Sequence, residues 1–535
     1  MSENSDVSFN PRTVCDHFMD LTRLSHPSCK ENPVREYVIK CAQNIENVEI
    51  SYYEPDATDP GKRVIILHRK GSGEYTNAPY VTLQAHMDMV CQPNEKIFEL
   101  DVFGYRDDEG VNWIKAGKKE SITDPSLGTT LGADDGIGVA TIIAILEDEN
   151  LKDYPIECLF TVQEENDMGG AAGFNKNLLK GRKYINLDAE DAKTIIYGSA
   201  AGQDVQFEGN VTLEAVTDDF ITLELSISGL LGGHSGVDIN KGRLNAIKVI
   251  TEALIRLNKR LTNLDGTVGK CITGYDLRLI SLNSLKKDEI NENKPVVNKI
   301  PIWVVARIAI PESDKDNFKK DFKAYIATLK GQVPEENNLE CSVEKVSSED
   351  VLSFQNSLDK ASTDTLLCLL RQIPHGIIHM IPDNTDVVQT SSNLAVVNSF
   401  GLKSDKIVIK SLNRSSDKNS LDELAQLQKL IGKLFNYEVN AKEPSPIWEP
   451  KNNSDLLKKA NDVYTEKYKD DFKATVIHAG LECGYIADYF QDKIDCISIG
   501  PTIVSPHTGG EKLNTDTVEP FYNAVSDLIR KLFSK

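Results

Sequence analysis

Five short segments of the sequence carry side chains that bind metal ions or move protons. They are AHMD at 85–88, GADDG at 132–136, VQEE at 162–165, NLD at 186–188 and PH at 506–507. Imidazole and carboxylate groups are the common nitrogen and oxygen ligands of zinc, and a carboxylate beside a metal-activated water can accept its proton. Each segment alone also has a plain structural explanation, so its meaning depends on where the fold places it.

The first two segments fit a strand and a helix start. His86 and Asp88 are two residues apart on a predicted strand, so both side chains leave the same face, where the carboxylate can hold the tautomer of a ligating histidine. A surface polar pair is the alternative. Asp134 and Asp135 precede a predicted helix, whose dipole favours carboxylates at its N-terminus. The alternative there is that one aspartate is simply the N-cap.

The other three segments follow predicted strands. Glu164 and Glu165 are adjacent, so on an extended chain one can ligate a metal while the other turns towards substrate as a general base. A solvated acidic loop is the alternative. Asp188 ends a strand, where ligands of open α/β sheets collect. His507 lies in a proline-containing loop, where a lone histidine is more often structural than a ligand.

The predicted strands and helices that must position these residues differ between the first and the middle part of the chain. Up to about residue 205, apolar strands alternate with helical segments, which predicts βαβ units and a largely parallel sheet. Beyond it, strands such as FITLELSISGL alternate apolar and polar residues, as half-exposed antiparallel strands do. Pro444, Pro446 and Pro450 mark a return linker. We therefore predict a discontinuous catalytic domain at 1–205 and 442–535, with an inserted α+β domain at 206–441.

Length, charge and cysteine usage limit the classes of function. A chain of 535 residues exceeds what one hydrophobic core usually supports. The formal charge of −21 opposes binding to nucleic acid and to anionic membranes. No segment approaches the roughly 20 apolar residues of a spanning helix, and the first residues lack the pattern of a signal peptide. With ten scattered cysteines and no CxxC pair, we predict a cytoplasmic protein with reduced thiols.

Taken together, the five segments resemble one protein family. The order HxD, ADDG, EE, LD and GPT…PH is similar to that of the co-catalytic zinc peptidases, which include carnosinases and carboxypeptidase G. Seven further segments resemble the aminoacyl-histidine dipeptidases of that family: TTLGADDGIG, LFTVQEE, LGGHSG, VNKIP, TSSNLAVV, IHAGLECG and PSPIWEP. The resemblance runs from about residue 11 to the end. It implies an α/β fold, with a catalytic domain built on a central mixed sheet flanked by helices and an inserted α+β lid domain.

The resemblance also implies a cofactor. Two zinc ions per chain would be bound, with manganese or cobalt as substitutes. His86 and Asp188 would hold one ion, Glu165 and His507 the other, and Asp134 would bridge the two. The peptide bond between Asp134 and Asp135 would be cis. These expectations rest on the matched motif positions alone.

Catalytic roles follow from the same match. Glu164 would be the general base for a zinc-activated water, and Asp88 would orient His86. The sequence departs from the family pattern at two places. Asp135 stands where the usual dipeptidase motif has asparagine, and TGGEKLN follows His507 where the family commonly has a serine-proline pair. Neither departure removes a ligand, so they bear on substrate preference and metal tuning.

The inserted domain would act as a lid. His234 matches the family's lid histidine, an oxyanion donor that acts in its own chain or across a dimer. Arg414, at a predicted strand end, suits bidentate capture of a substrate's C-terminal carboxylate, with a plain surface arginine as the alternative. Gly480 resembles a second wall for that carboxylate, and Glu482 is a candidate contact for the free amino group.

The leading hypothesis is therefore a dinuclear zinc dipeptidase that hydrolyses small dipeptides, of the Xaa-His type such as β-alanyl-histidine. One alternative is a deacylase or amidohydrolase of N-acyl amino acids, which uses the same metal chemistry. The other is a non-catalytic binding protein that retains the fold. A second copy of the chain, bound through the lid domain to form a homodimer, is the candidate protein partner. Neither nucleic acid nor membrane is an expected partner.

Overall fold

The structure is a computed structural model that describes residues 7–53, 63–92, 100–261, 274–284, 297–346, 356–381, 384–399 and 406–534. The chain divides into two compact units. Unit 1 comprises Met1–Ser199, Pro446–Val476 and Leu481–Lys535, and unit 2 comprises Ala200–Ser445 and Ile477–Gly480. The short segment Ile477–Gly480, which the sequence-based division gives to the catalytic domain, thus belongs to unit 2. There the ring of His478 hydrogen-bonds to the Ser391 hydroxyl across 2.7 Å.

The strands and helices follow one another along the chain. The strands are β1 Val48–Tyr53, β2 Val64–Arg69, β3 Val81–His86, β4 Val102–Arg106, β5 Asn112–Gly117, β6 Gly128–Thr129, β7 Ile156–Thr161, β8 Lys183–Asn186, β9 Thr194–Ser199, β10 Ala201–Asn210, β11 Leu213–Ala215, β12 Phe220–Ser228, β13 Gly233–His234, β14 Arg278–Asn283, β15 Lys299–Ile300, β16 Val304–Pro311, β17 Glu340–Lys345, β18 Asn356–Leu358, β19 Gly376–Ile381, β20 Asn384–Asn398, β21 Lys406–Ser415, β22 Glu438–Ala441, β23 Lys473–Ile477, β24 Asp495–Ser498, β25 Ile503–Val504 and β26 Lys512–Asn514. The α-helices are α1 Arg12–Leu21, α2 Asn32–Gln43, α3 Ala133–Glu147, α4 Glu164–Asp167, α5 Gly169–Gly173, α6 Ala246–Leu257, α7 Lys315–Gln332, α8 Lys360–Gln372, α9 Lys418–Leu434, α10 Asp455–Tyr468, α11 Cys483–Phe490 and α12 Val518–Phe533.

Unit 1 is built on a mixed sheet of eight strands in the order β1-β2-β7-β3-β8-β24-β9-β23. Its central strands β7, β3, β8 and β24 are parallel to their neighbours within this group. Strands β2, β3 and β7 are buried along their whole length, which explains their runs of Val, Ile and Leu. Four adjacent parallel strands therefore end at the same edge of the sheet.

Helix α3 lies inside unit 1 and is apolar on every side. All residues from Ala133 to Leu146 are buried. The C-terminal end of the helix is closed by Arg69 of β2, whose guanidinium donates to the carbonyls of Ile145, Leu146 and Leu151 at 3.2, 2.9 and 2.6 Å. A buried cation is well placed there, because the last carbonyls of a helix have no partner within it.

Unit 2 contains a nine-stranded sheet with the order β17-β12-β16-β14-β20-β21-β10-β22, and β19 pairs with β20. The pairings of this sheet are antiparallel. Strand β10 alternates buried and partly exposed residues, as expected for a sheet covered on one face. Residues of α6, α7 and α8 share one hydrophobic core with the strands.

Two general expectations can be checked on the described residues. All nine cysteines among them are free thiols, and Cys271 lies outside the described part of the chain. None of the helices within the described ranges has the length and apolar character that crossing a membrane requires.

Replacing Arg69 should destabilise unit 1. In Arg69→Met, the carbonyls of Ile145 and Leu146 at the end of α3, and that of Leu151 beyond it, lose their charged donor while staying buried, so we expect the free energy of unfolding to fall by about 2–4 kcal/mol. Arg23→Met removes an arginine that is half exposed and bound to Asp20, and should cost less than about 1 kcal/mol. Urea unfolding of both variants checks this, and equal losses would contradict it.

Candidate metal centre

The predicted ligands lie at the edge of the sheet where the parallel strands end. His86 is the last residue of β3, and Glu164 and Glu165 follow β7 at the start of α4. Asp188 lies two residues after β8, and His507 belongs to the loop between β25 and β26, which follows β24. Neighbouring strands thus bring together side chains that are up to 421 positions apart in the sequence (86 to 507).

Asp134 lies between the two histidines and contacts both. Its Oδ1 is 2.9 Å from His86 Nε2, and its Oδ2 is 2.9 Å from His507 Nε2. Each histidine also approaches a second carboxylate: His86 Nε2 is 3.5 Å from Asp188 Oδ1, and His507 Nε2 is 2.8 Å from Glu165 Oε1. A single carboxylate is therefore shared by two imidazole–carboxylate pairs.

The donor atoms are close enough to hold cations. The ligand atoms of His86, Asp134 and Glu165 lie within 4.8 Å of one another, and so do those of His86, Asp135 and Asp188. Imidazole nitrogen with carboxylate oxygen is a donor set that suits zinc and other divalent transition metals. The residues present thus fit a centre that binds a divalent metal ion.

Asp135 differs from the other carboxylates of this cluster because its side chain binds backbone N–H groups. Its Oδ2 accepts the backbone N–H of His86 at 3.2 Å, and its Oδ1 accepts the N–H of Gly138 at 3.1 Å. The peptide bond between Asp134 and Asp135 is cis, as predicted. Because the side chain of Asp135 binds two backbone groups, it ties the start of α3 to the end of β3.

Burial governs the protonation of the carboxylates. It raises the pKa of Glu164 well above the usual glutamate value, and together with the charge of Asp134 it raises that of Glu165 to about 7. Burial also raises the pKa of Asp188 to about 6. Burial would raise the pKa of Asp134 too, but hydrogen bonds from His507 and His86 hold it below its ordinary value. Crowded buried carboxylates of this kind occur at functional sites, where a bound cation would offset their charge.

Asp88 supports both His86 and the two glutamates. The His86 ring donates from Nδ1 to the backbone carbonyl of Asp88 at 2.9 Å, while the nearer carboxylate oxygen is 3.5 Å away. The carboxylate instead accepts the N–H of Glu164 at 3.0 Å and of Glu165 at 3.1 Å, and the hydroxyl of Ser28 at 2.7 Å. Asp88 therefore orients the histidine through its main chain and the glutamate pair through its side chain.

Two buried glutamates that sequence reasoning missed hold the loops of the site. Glu31 accepts the N–H of Cys29 at 2.8 Å and of Gln163, next to Glu164, at 3.1 Å. Glu511 accepts backbone N–H groups of the loop that leads to Asp134, including that of Leu131 at 2.7 Å. The partners that link them to the site, the N–H groups of Gln163 and Leu131, are main-chain groups distant in sequence, so no spacing rule could have identified them.

Glu482 of unit 1 has unexpected surroundings. Its side chain is fully buried, and its Oε2 accepts hydrogen bonds from Gln84 Nε2 at 2.7 Å and from the Thr161 hydroxyl at 2.6 Å. Burial raises its pKa to about 8. Its Oε1 is buried and has no hydrogen-bond partner among the described residues. The expected contact with a substrate amino group stays a prediction, and Oε1 is the atom left for it.

The remaining predicted residues belong to unit 2. There an Arg414 N–H lies 3.3 Å from His234 Nε2, and its Nε–H lies 3.5 Å from the Ser235 hydroxyl. Arg414 is buried, and burial lowers its pKa to about 10, so the guanidinium stays charged at neutral pH. Gly480 follows His478 in the short segment that returns to unit 2.

Comparisons with known proteins agree with this arrangement. The family model of peptidase family M20/M25/M40 matches residues 126–531. The cytosol non-specific dipeptidase of Escherichia coli is 31% identical over the full length of both chains. The crystal structure of an aminoacylhistidine dipeptidase from Vibrio alginolyticus is 28% identical, with 99% of each chain covered and a TM-score of 0.72. A tripeptidase from Staphylococcus aureus, at 13% identity, a TM-score of 0.54 and 98% of each chain covered, shares the fold.

These matches confirm the predicted family resemblance, the mixed α/β fold and the assignment as an enzyme. They cover the whole of the described chain rather than one motif region, and they include the segments that carry His86, Asp134 and His507. The chain belongs to the M20/M25/M40 family of peptidases.

Proposed function

We propose that this protein is a dipeptidase that hydrolyses dipeptides of the Xaa-His type, such as β-alanyl-histidine. The observation that carries the proposal is the shared carboxylate of Asp134, whose two oxygens each contact a different histidine at 2.9 Å. The names of the Escherichia coli and Vibrio relatives support dipeptides as the substrate class. The name of the Escherichia coli relative, a cytosol dipeptidase, also supports a cytosolic location.

In this proposal two zinc ions are bound per chain, with manganese or cobalt as substitutes. His86 and Asp188 would hold one ion, Glu165 and His507 would hold the other, and the carboxylate of Asp134 would be shared between them. The contacts of each histidine with its own carboxylate support this division. When bound, the ions lower the pKa of water and polarise the peptide carbonyl.

Glu164 is the proposed general base. It is adjacent to the ligand Glu165, and its N–H is held by Asp88 at 3.0 Å, so its position relative to the ligands is set by the backbone. Burial raises its pKa well above the ordinary value, so the ionised carboxylate is a stronger proton acceptor than an exposed glutamate. Glu164 would take the proton of the attacking water and pass it to the leaving amine.

Two residues of unit 2 are proposed to bind substrate oxygens, with unit 2 as the lid. The Nδ1 atom of His234 lies 3.3 and 3.4 Å from the N–H groups of Gly236 and Val237, and its Nε2 lies 3.3 Å from an Arg414 N–H. The ring of His234 and the guanidinium of Arg414 are thus neighbouring polar groups. They suit the scissile carbonyl oxygen and the C-terminal carboxylate respectively. Gly480 is proposed to line the carboxylate site.

A homodimer through unit 2 is proposed from an exposed apolar stripe. Leu427, Leu430 and Leu434 of α9 are 46%, 61% and 78% exposed. Their spacing of three and four residues puts them on one helical face. An apolar stripe of this kind on a helix surface suits a self-complementary contact with a second copy of the chain.

The first test is hydrolysis of a substrate panel by zinc-loaded protein. We expect β-alanyl-histidine and other Xaa-His dipeptides to be cleaved, and Glu164→Gln to lower kcat by about 100-fold or more while zinc content stays unchanged. Cleavage restricted to N-acetyl amino acids would replace the dipeptidase by a deacylase. No cleavage of any substrate by zinc-loaded protein would favour a binding protein.

Asp88→Asn should impair catalysis through the glutamates. The amide nitrogen would face one of the N–H groups of Glu164 and Glu165, so we expect kcat/KM to fall by about 10–100-fold. Ser28→Ala removes only the hydroxyl donor and should have a smaller effect. Steady-state kinetics of both variants checks this order, and wild-type rates in Asp88→Asn would refute the role.

The dimer is tested by light scattering coupled to size exclusion. Wild-type protein should show the molar mass of two chains, and Leu430→Glu should show that of one, because a charge in the stripe opposes burial. Ile122→Glu changes an exposed apolar residue of unit 1 and should stay dimeric. A monomeric wild type at micromolar concentrations would exclude this proposal.

A further inference from the structure

Glu511 is a buried carboxylate on the loop that follows His507. It is 2% exposed and lies directly before β26. Its N–H donates to the Thr508 carbonyl at 3.1 Å, so the chain turns back within four residues of the histidine. The same loop is held by Lys115, whose ammonium donates to the Gly509 carbonyl at 2.9 Å.

The carboxylate of Glu511 binds the chain that leads into Asp134. Its Oε2 accepts the N–H groups of Leu131 at 2.7 Å and Gly132 at 3.2 Å. Its Oε1 accepts that of Ala133 at 2.8 Å and approaches that of Asp134 at 3.5 Å. Consecutive backbone donors that converge on one anion form a concave binding site of the kind that cradles phosphates in other proteins.

The loop does not cap these donors with its own side chains. Gly132 has φ of 70°, where glycine is favoured, and a Cβ added there would lie 2.9 Å from Met89 Sδ. The carboxylate of Asp135 is bound to the N–H groups of Gly138 and His86. The first N–H groups of a buried helix need acceptors, and Glu511 supplies them from the far end of the chain.

We infer that Glu511 is a positioning residue that locks the loop of His507 to the loop of Asp134. Through its four backbone contacts it keeps Asp134 Oδ2 within 2.9 Å of His507 Nε2. It thereby sets the affinity of the site for its pair of metal ions without touching them. This inference rests on the proposed metal site.

The test is the zinc affinity of Glu511→Gln, measured by competition with a chromophoric chelator. The variant turns one accepting oxygen into an amide that faces backbone donors, so we expect zinc to bind about 10–100-fold more weakly. Glu511→Asp keeps the charge but shortens the side chain, and should recover part of the loss. It also gives the measurement a second folded variant if Glu511→Gln does not fold.

Glu157→Gln is the matched control. Glu157 is fully buried in unit 1 and accepts four hydrogen bonds, from the Lys180 and Gly181 N–H groups, the Thr82 hydroxyl and the His68 ring. It lies at the opposite end of β7 from the metal centre, so Glu157→Gln should lower the melting temperature but change zinc affinity less than about twofold.

The outcomes separate the inference from the proposed function. A wild type that binds no zinc would reject the metal site, and the inference with it. A wild type that binds zinc, with Glu511→Gln and Glu511→Asp binding it equally well, would overturn the inference alone. If Glu157→Gln weakened zinc binding as much as Glu511→Gln, Glu511 would act only as a general stabiliser, and the inference would be overturned as well.

Discussion

The metal centre depends on one constraint, which is that charged side chains bind the terminal backbone groups at both ends of helix α3. This helix is buried along its length, so water cannot satisfy its terminal backbone groups. A carboxylate, Glu511, binds the N–H groups at and just before its start, and a guanidinium, Arg69, binds the carbonyls of Ile145 and Leu146 in its last turn. Both charges match the sign of the helix dipole. Since Asp134 sits at the start of α3, its position is determined by how that end is held.

The strands impose the rest of the geometry through their two-residue period. Gln84 precedes His86 by two residues and Asn186 precedes Asp188 by two, so each pair shares one strand face. Asn186 donates to Gln84 at 2.7 Å, and Gln84 donates to the carboxylate of Glu482 at 2.7 Å. A polar layer thus lies under the ligands and links strands β3 and β8. It restrains the directions from which the ligands project.

Side chains placed by strand and helix ends could be predicted from the sequence, whereas side chains that act by binding the backbone could not. His86, Asp188 and Glu165 were candidates because they lie at or just after the ends of apolar strands, and their assignment as ligands rested on the family resemblance. Asp134 was identifiable because carboxylates at a helix start form a pattern. Glu511 was not, because its four donors are main-chain groups nearly 380 positions away, and a backbone N–H has no sequence signature. Residues that hold a site by binding the backbone are found only when the fold is known.

The acidity of the site explains why metal and fold should be coupled. Buried carboxylates repel one another, and burial raises the pKa of Glu164, Glu165 and Asp188 above their usual values. Among the described residues, His86 contacts Asp188 and His507 contacts Glu165, and both imidazoles must be neutral to bind a metal. A metal ion bound by these imidazoles would therefore displace any proton that they carry on the ligating nitrogen.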